Sequence, residues 1–293
     1  MRICRFNQDR LGLLLDDAVL DVSAALDVLP AVKWPYPSGD LFIRNLAAVM
    51  KAIERVRDGA PRIPLDEARM ESPIPWPSKV VAAPANYRAH LEMDAAKDPG
   101  VDQGVHLAAI GGAERPVYKL GPFLKATSSV VGPAHGIIVQ QANRRCDHEV
   151  EIVAVIGREA CNVSRAEAMS YVAGFTIGLD MTYRGVEDRS FRKSADTFTV
   201  LGPCLVTAEE IGDPDNIAFW LSVNGKERQR SNTSQMTVGT AELIELASSM
   251  YTLLPGDVIM TGTPEGVGPV VPGDVIRAGA AGIGEMVVRV SGG

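Results

Sequence analysis

The chain has four cysteines in 293 residues, and no two of them form a C-x-x-C pair. Cys4, Cys146, Cys161 and Cys204 are scattered, which excludes the usual zinc spacings and a disulfide framework and leaves ordinary thiols. Positive charge is also scarce: 29 Lys and Arg stand against 36 Asp and Glu, a net −7. Without a basic stripe, nucleic acid is not an expected partner. No apolar run reaches the length of a membrane span, and the opening MRICRFNQDRLGLLLDDAV lacks the apolar core of a signal peptide. A cytoplasmic protein with no membrane partner is expected, so the glycosylation-like NVS at Asn162 and NTS at Asn232 are read as chance. GTPEGVG lacks the G-K-[ST] of a phosphate-binding loop.

What is present reads as a mainly β, α+β fold. MRICRF, LGLLL and AVLDVS predict short strands, followed by a helical stretch near Asp40 to Val56. The three prolines of ESPIPWPSK can propagate neither helix nor central strand, so a boundary is expected there, between a small α+β unit at 1–72 and a larger one at 73–293. In the larger unit EIVAVIG, FTIGLD, GPCLVT, IAFWLSV and DVIM predict strands folded into a sandwich or roll. Ser164 with Glu167 suggests a capping box before AMSYVAG, and Thr240 a cap for AELIELASSMY. Asn224-Gly225 signals a hairpin, and the two PGDVI copies signal turns feeding strands. Residues 95–115 lack periodicity and suggest a lid.

Chemistry concentrates in CDHEVEIVAVIG. Alternation along a strand puts Asp147, Glu149 and Glu151 on one face and Val150, Ile152 and Ala154 on the other. A solvated edge would explain a lone E-x-E, but the apolar run that follows predicts a strand covered on both sides. Carboxylates there need a cation or a donor network. Asp180, ending FTIGLD, supplies a third oxygen donor. Three carboxylates without histidine suit Mg²⁺ or Mn²⁺ rather than Zn²⁺.

NYRAH at Asn86, DHEVEIVAVIG, GLDMTYRG, KSADTF, LGPCLVT, VNG, LLPGDVIMTGTPEGVG and GIGEMVVRV, in that order, resemble the fumarylacetoacetate hydrolase family over about Lys79 to Val290. The resemblance implies a mixed β-sandwich roll with a small N-terminal domain, commonly homodimeric, that uses Mg²⁺ or Mn²⁺ on small 2-oxo or 1,3-dioxo acids. The implied activity is hydrolysis of a C–C bond in an acylpyruvate-like or fumarylacetoacetate-like acid through a metal-bound enolate. Decarboxylation, isomerisation or hydration is the alternative, and a non-catalytic binding protein is the reading from another class. The family's metal ligands fall on Glu149, Glu151 and Asp180, and its catalytic histidine on His90. Lys193 would bind the substrate carboxylate or polarise the carbonyl, and Arg184 would grip a carboxylate. Thr263, Lys125 and Tyr87 complete the implied substrate contacts.

Three positions depart from the family pattern. Met93 stands where a glutamate usually orients the histidine; Asp94, at i+4, shares the face of His90 on a helix and is the expected partner, with Glu92 the alternative. Glu187 replaces a usual glutamine, a charge that needs Arg184 or Lys193 beside it. Ala126 follows Lys125 where proline is common. The connection 95–121 is long and is expected to close over substrate, with His106 a substitute base inside it.

Overall fold

The computed structural model describes residues 1–88 and 114–293. The hydrophobic alternation seen in the sequence becomes a mixed, strand-rich fold, with twelve strands in one sheet, five in a second and three in a small third. Along the large sheet the order runs Arg62–Pro64, Ala18–Asp21, Arg10–Leu14, Arg2–Phe6, Thr199–Thr207, Val172–Asp180, Val150–Ile156, Val258–Met260, Val80–Ala82 and Phe123–Lys125. Arg2–Phe6 pairs antiparallel with Thr199–Thr207, so the first strands extend the sheet that carries the acidic strand.

The acidic strand is covered on both faces, as its composition predicts. Val150, Ile152, Ala154 and Ile156 pack with Phe175, Ile177, Phe219, Leu221 and Val288 toward the five-stranded sheet. Val153 and Val155 face the other way, against Val80, Ala82, Leu201, Val258 and Met260. Apolar contact on both sides explains why every residue of Val150–Ile156 is buried.

Local signals account for the connections. Asp40 accepts from Ile43 N at 2.9 Å and starts Leu41–Arg44, and Leu46–Val56 follows with Val49, Ala52 and Ile53 turned inward. Asn224 and Gly225 hold φ of 52° and 77°, the left-handed pair that a tight hairpin needs between Ala218–Val223 and Lys226–Asn232. Both PGDVI copies close in the same way: Asp257 accepts from Leu254 N and Asp274 from Val271 N, each at 2.8 Å. Strands Val258–Met260 and Val275–Ala280 follow.

Two helix expectations are corrected. After Ser164 only one turn forms, Arg165–Ala168, before a 3-10 turn leads into Val172–Asp180, because the sheet takes the β-favouring residues. The Ser164 hydroxyl bonds the Glu167 carboxylate at 2.8 Å instead of a backbone N–H. Thr240 is the first helical residue of Thr240–Met250 rather than its cap; the cap is Gly239, and Asp215 accepts from Thr240 N at 3.2 Å. Among the described residues no helix is long and apolar enough to cross a membrane.

Candidate metal centre

Strand register builds the site. Val150 pairs with Leu179 and Glu151 with Gly178, so one step back sets Asp180 opposite Glu149, and Asp180 N donates to Glu149 O at 2.8 Å. Opposed residues on neighbouring strands share a face, and so do Glu149 and Glu151 two apart on one strand. All three side chains are buried, and each offers a carboxylate oxygen within 4.8 Å of the others.

Asp147 leaves this group. The strand breaks at Glu149, and Cys146–His148 joins the three-stranded sheet between Thr182–Tyr183 and Gly268–Val270. There the Asp147 carboxylate accepts from Arg145 Nε and Arg184 Nε, both at 2.8 Å. Arg184 also reaches Glu149 Oε1 at 3.3 Å, which ties the metal-capable group to its neighbour.

Two buried lysines balance the carboxylates. Lys193 Nζ lies 2.6 Å from Glu149 Oε2 and 2.7 Å from Asp180 Oδ2. Lys125 Nζ lies 2.5 Å from Asp180 Oδ1 and 2.8 Å from Phe198 O. Burial disfavours both charges; for Lys193, Asp180 and Glu149 outweigh it and hold the ammonium above the usual lysine range, whereas for Lys125 burial prevails and lowers it. Glu151 differs. Its Oε2 accepts Gly262 N at 2.7 Å, and no cation among the described residues forms an ion pair with it. Burial, then Asp180 and Glu149, push its carboxyl well above the usual carboxylate range against the pull of Lys193 and Gly262 N–H.

Other sequence candidates take defined places. Tyr87 is fully buried, edge-on to Phe219 at 5.9 Å, with a hydroxyl that has no hydrogen-bond partner among the described residues. Burial and then the charge of Glu151 raise that phenol. The Thr263 hydroxyl donates to Val150 O at 2.9 Å and accepts from Gln229 Nε2 at 2.8 Å. His90, Glu92, Asp94 and His106, with most of the expected lid, lie outside the described residues; from its C-terminal end, Pro116–Leu120 is a short helix.

Two departures acquire physical reasons. Glu187 pairs with neither Arg184 nor Lys193: Arg144 takes it at 2.5 Å while resting 5.3 Å from the Tyr183 ring centroid. Ala126 supplies an N–H that donates to Ser194 Oγ at 2.8 Å, a bond that proline could not make. Sequence reasoning missed Gly262 N, His148 and Gln229. The one available signal was Gln229 itself, an uncharged residue inside the charged run KERQR.

The donor set fits a hard divalent cation. Among the described residues three carboxylates converge with no sulfur, and the one histidine beside them, His148, has Nδ1 engaged with Gln229 at 3.0 Å. Among the same residues Lys193, Lys125 and Arg184 pair with Glu149 and Asp180 but none pairs with Glu151, whose buried carboxylate is the one a bound cation would compensate.

Comparison with known proteins agrees. The family model described as fumarylacetoacetate (FAA) hydrolase C-terminal matches residues 79–291. A maleylpyruvate hydrolase from Aquipseudomonas alcaligenes is 48% identical over 290 residues, covering 99% of each chain. The mitochondrial oxaloacetate tautomerase FAHD2B of Homo sapiens is 36% identical over 214 residues, 71% of this chain and 62% of that one. Among solved structures, maleylpyruvate hydrolase from Sphingobium sp. SYK-6 in complex with manganese(II) ion and pyruvate superimposes with a TM-score of 0.82 at 37% identity, covering 100% of both chains.

Proposed function

Because the chain belongs to the fumarylacetoacetate hydrolase family, we propose that it is a Mg²⁺- or Mn²⁺-dependent hydrolase that splits an acylpyruvate of the maleylpyruvate type, with water, into maleate and pyruvate. The observation that carries this reading is the buried group Glu149, Glu151 and Asp180, set in a chain that matches a maleylpyruvate hydrolase from end to end. A manganese ion and pyruvate bound to a relative of the same fold support the cofactor and the product class. The family match starts at residue 79, in keeping with a catalytic unit at 73–293 after a smaller one at 1–72.

In this reading Glu149, Glu151 and Asp180 hold the cation, which when bound supplies Lewis acidity toward the oxygens of a dioxo acid. Lys193 and Arg184 offer positive charge to the substrate carboxylate from the rim of the same cluster. Tyr87, whose hydroxyl has no hydrogen-bond partner among the described residues, is a donor toward substrate, and Thr263 and Lys125 border the site. His90 removes a proton from the attacking water, oriented by Asp94 or by Glu92. The four cysteines are free thiols, which suits the cytoplasm. Exposed Val186 and Phe191, near Arg184 and Lys193 in sequence, suit a homodimer contact.

The relatives named as oxaloacetate tautomerases support a second reading, proton transfer without bond cleavage, over a smaller share of the chain. One experiment separates the two. Protein loaded with Mg²⁺ or Mn²⁺ is given maleylpyruvate or oxaloacetate, products are identified, and Glu149→Ala serves as control. Maleate and pyruvate in equal amounts, absent from the control, are expected. Keto–enol exchange of oxaloacetate without cleavage of maleylpyruvate would overturn hydrolysis.

A further inference from the structure

Val150 separates two of the carboxylates, and its backbone occupies an unusual place. On one side its strand pairs with Val172–Asp180. On the other side the neighbouring strand Val258–Met260 reaches only as far as Val153. Val150 is buried there, so its N–H and C=O need partners that no strand supplies. Two side chains take over: Gln229 Oε1 accepts from Val150 N at 3.2 Å, and the Thr263 hydroxyl donates to Val150 O at 2.9 Å.

Gln229 makes four hydrogen bonds. Val150 N–H is an obligate donor and Pro264 O an obligate acceptor, so the amide has one possible orientation, with Oε1 toward Val150 and Nε2 toward Pro264 O at 3.1 Å and Thr263 Oγ1 at 2.8 Å. The same orientation requires His148 to carry its proton on Nδ1, donating to Oε1 at 3.0 Å. The bracket therefore ties His148 and Val150, on either side of Glu149, to the turn whose Gly262 N donates to Glu151 Oε2 at 2.7 Å.

A bulge delivers the side chain. In the pairing of Ala218–Val223 with Lys226–Asn232, Leu221 faces Gln229 but Ser222 faces Glu227, so Arg228 is the extra residue. Gln229 is 1% exposed on a strand whose neighbours Arg228 and Arg230 are exposed. The turn fits against this bulge: a Cβ on Gly266, at φ +88°, would lie 2.0 Å from Arg228 O.

We propose that Gln229 is a positioning residue for the cation site, fixing the peptide planes on both sides of Val150 and so the directions of Glu149 and Glu151. This rests on the reading that those carboxylates hold a divalent cation. It assigns the charged edge hairpin a part in the reaction centre, although no side chain of Lys226–Asn232 belongs to the metal-capable group.

The test measures Mn²⁺ binding by electron paramagnetic resonance on the full chain after chelation, together with thermal melting in chelator, for wild type, Gln229→Met, Thr263→Val, the double variant and Glu149→Ala. Outer-sphere partners of metal ligands are typically worth about 10–100-fold in affinity. Gln229→Met and Thr263→Val should each weaken Mn²⁺ binding at least about tenfold, and the double variant should lose little more than the worse single one, because both act through Val150. A lower melting temperature with Mn²⁺ affinity within twofold of wild type would make Gln229 merely structural and overturn the proposal. Should Gln229→Met not fold, Thr263→Val carries the same test. Wild type that binds no Mn²⁺, or Glu149→Ala that binds it equally well, would instead sink the cation site itself.

Discussion

Replacing Glu151 by glutamine should make the metal-free protein more stable while destroying its capacity to bind a cation. Among the described residues Glu151 has one hydrogen bond, from Gly262 N, and lies within 4.8 Å of oxygens on both Glu149 and Asp180. At an effective dielectric of about 20, like charges 4.8 Å apart repel by about 3.5 kcal/mol, so the two neighbours oppose its charge by about 7 kcal/mol. Lys193, Lys125 and Arg184 offset most of this, since both lysines contact Asp180 and Lys193 and Arg184 also contact Glu149. A net gain on the order of 1–3 kcal/mol remains, because glutamine keeps an acceptor for Gly262 N–H and avoids both the opposed charge and the proton uptake that relieves it. For a chain of this length that is a rise of roughly 2–6 °C in melting temperature. The assay is differential scanning calorimetry with chelator and with Mn²⁺ at 100 times its wild-type dissociation constant. Wild type should gain about 2.7 kcal/mol from the ion and Glu151→Gln almost nothing, so the advantage of the variant in chelator closes or reverses. If Glu151→Gln melts below wild type in chelator, the carboxylate is stabilised by its surroundings and the argument for a site strained until a cation arrives is wrong.

Asp257→Ala should cost about 3 kcal/mol in urea denaturation, since Leu254 N and Lys79 N lose their acceptor and Lys79 Nζ its partner at 2.9 Å; a cost below about 1 kcal/mol would show the turn to be held otherwise. Glu242 sits between Arg115 at 2.6 Å and Arg165 at 2.9 Å; burial opposes its charge, but the arginines outweigh burial and hold its carboxyl below the usual range. A depressed carboxyl contributes stability that is present above its unfolded value, near 4.3, and lost as pH falls through the folded one. Melting temperatures from pH 6 to pH 3 should therefore fall more steeply for wild type than for Glu242→Gln, and parallel curves would refute the assignment. Glu187→Gln breaks a solvent-screened pair with Arg144 and should leave the melting temperature essentially unchanged and kcat/KM within about threefold of wild type, measured on maleylpyruvate; a larger kinetic effect would place Glu187 at the substrate.

Much of this site could be read from the chain because its cues are local. The alternation of E-V-E-I-V-A-V-I, the left-handed pair Asn224-Gly225 and the PGDVI turns are settled by a few neighbouring residues and by backbone sterics. The same locality misled where longer-range packing prevailed. Ser164 and Glu167 carry the letters of a capping box, yet the segment after them is drawn into the Val172–Asp180 strand, where both faces of the sheet bury it. Asp147 keeps the parity of Glu149 and Glu151 in sequence, yet the break at Glu149 sends it to Arg145 and Arg184 in another sheet.

The sequence by itself determined the types of donor, three carboxylates with two lysines and an arginine, and hence the hardness of the cation that suits them. Only the tertiary structure decided which atoms meet. The register that opposes Asp180 to Glu149 and the early end of Val258–Met260 that leaves one edge of Val150 without a neighbouring strand depend on pairings between residues dozens of positions apart, and the inward turn of Gln229 at the Arg228 bulge has a function only because the distant Val150 and Thr263 are packed beside it. Such pairings are chosen by the packing of whole sheets against one another, and no short window of sequence encodes them.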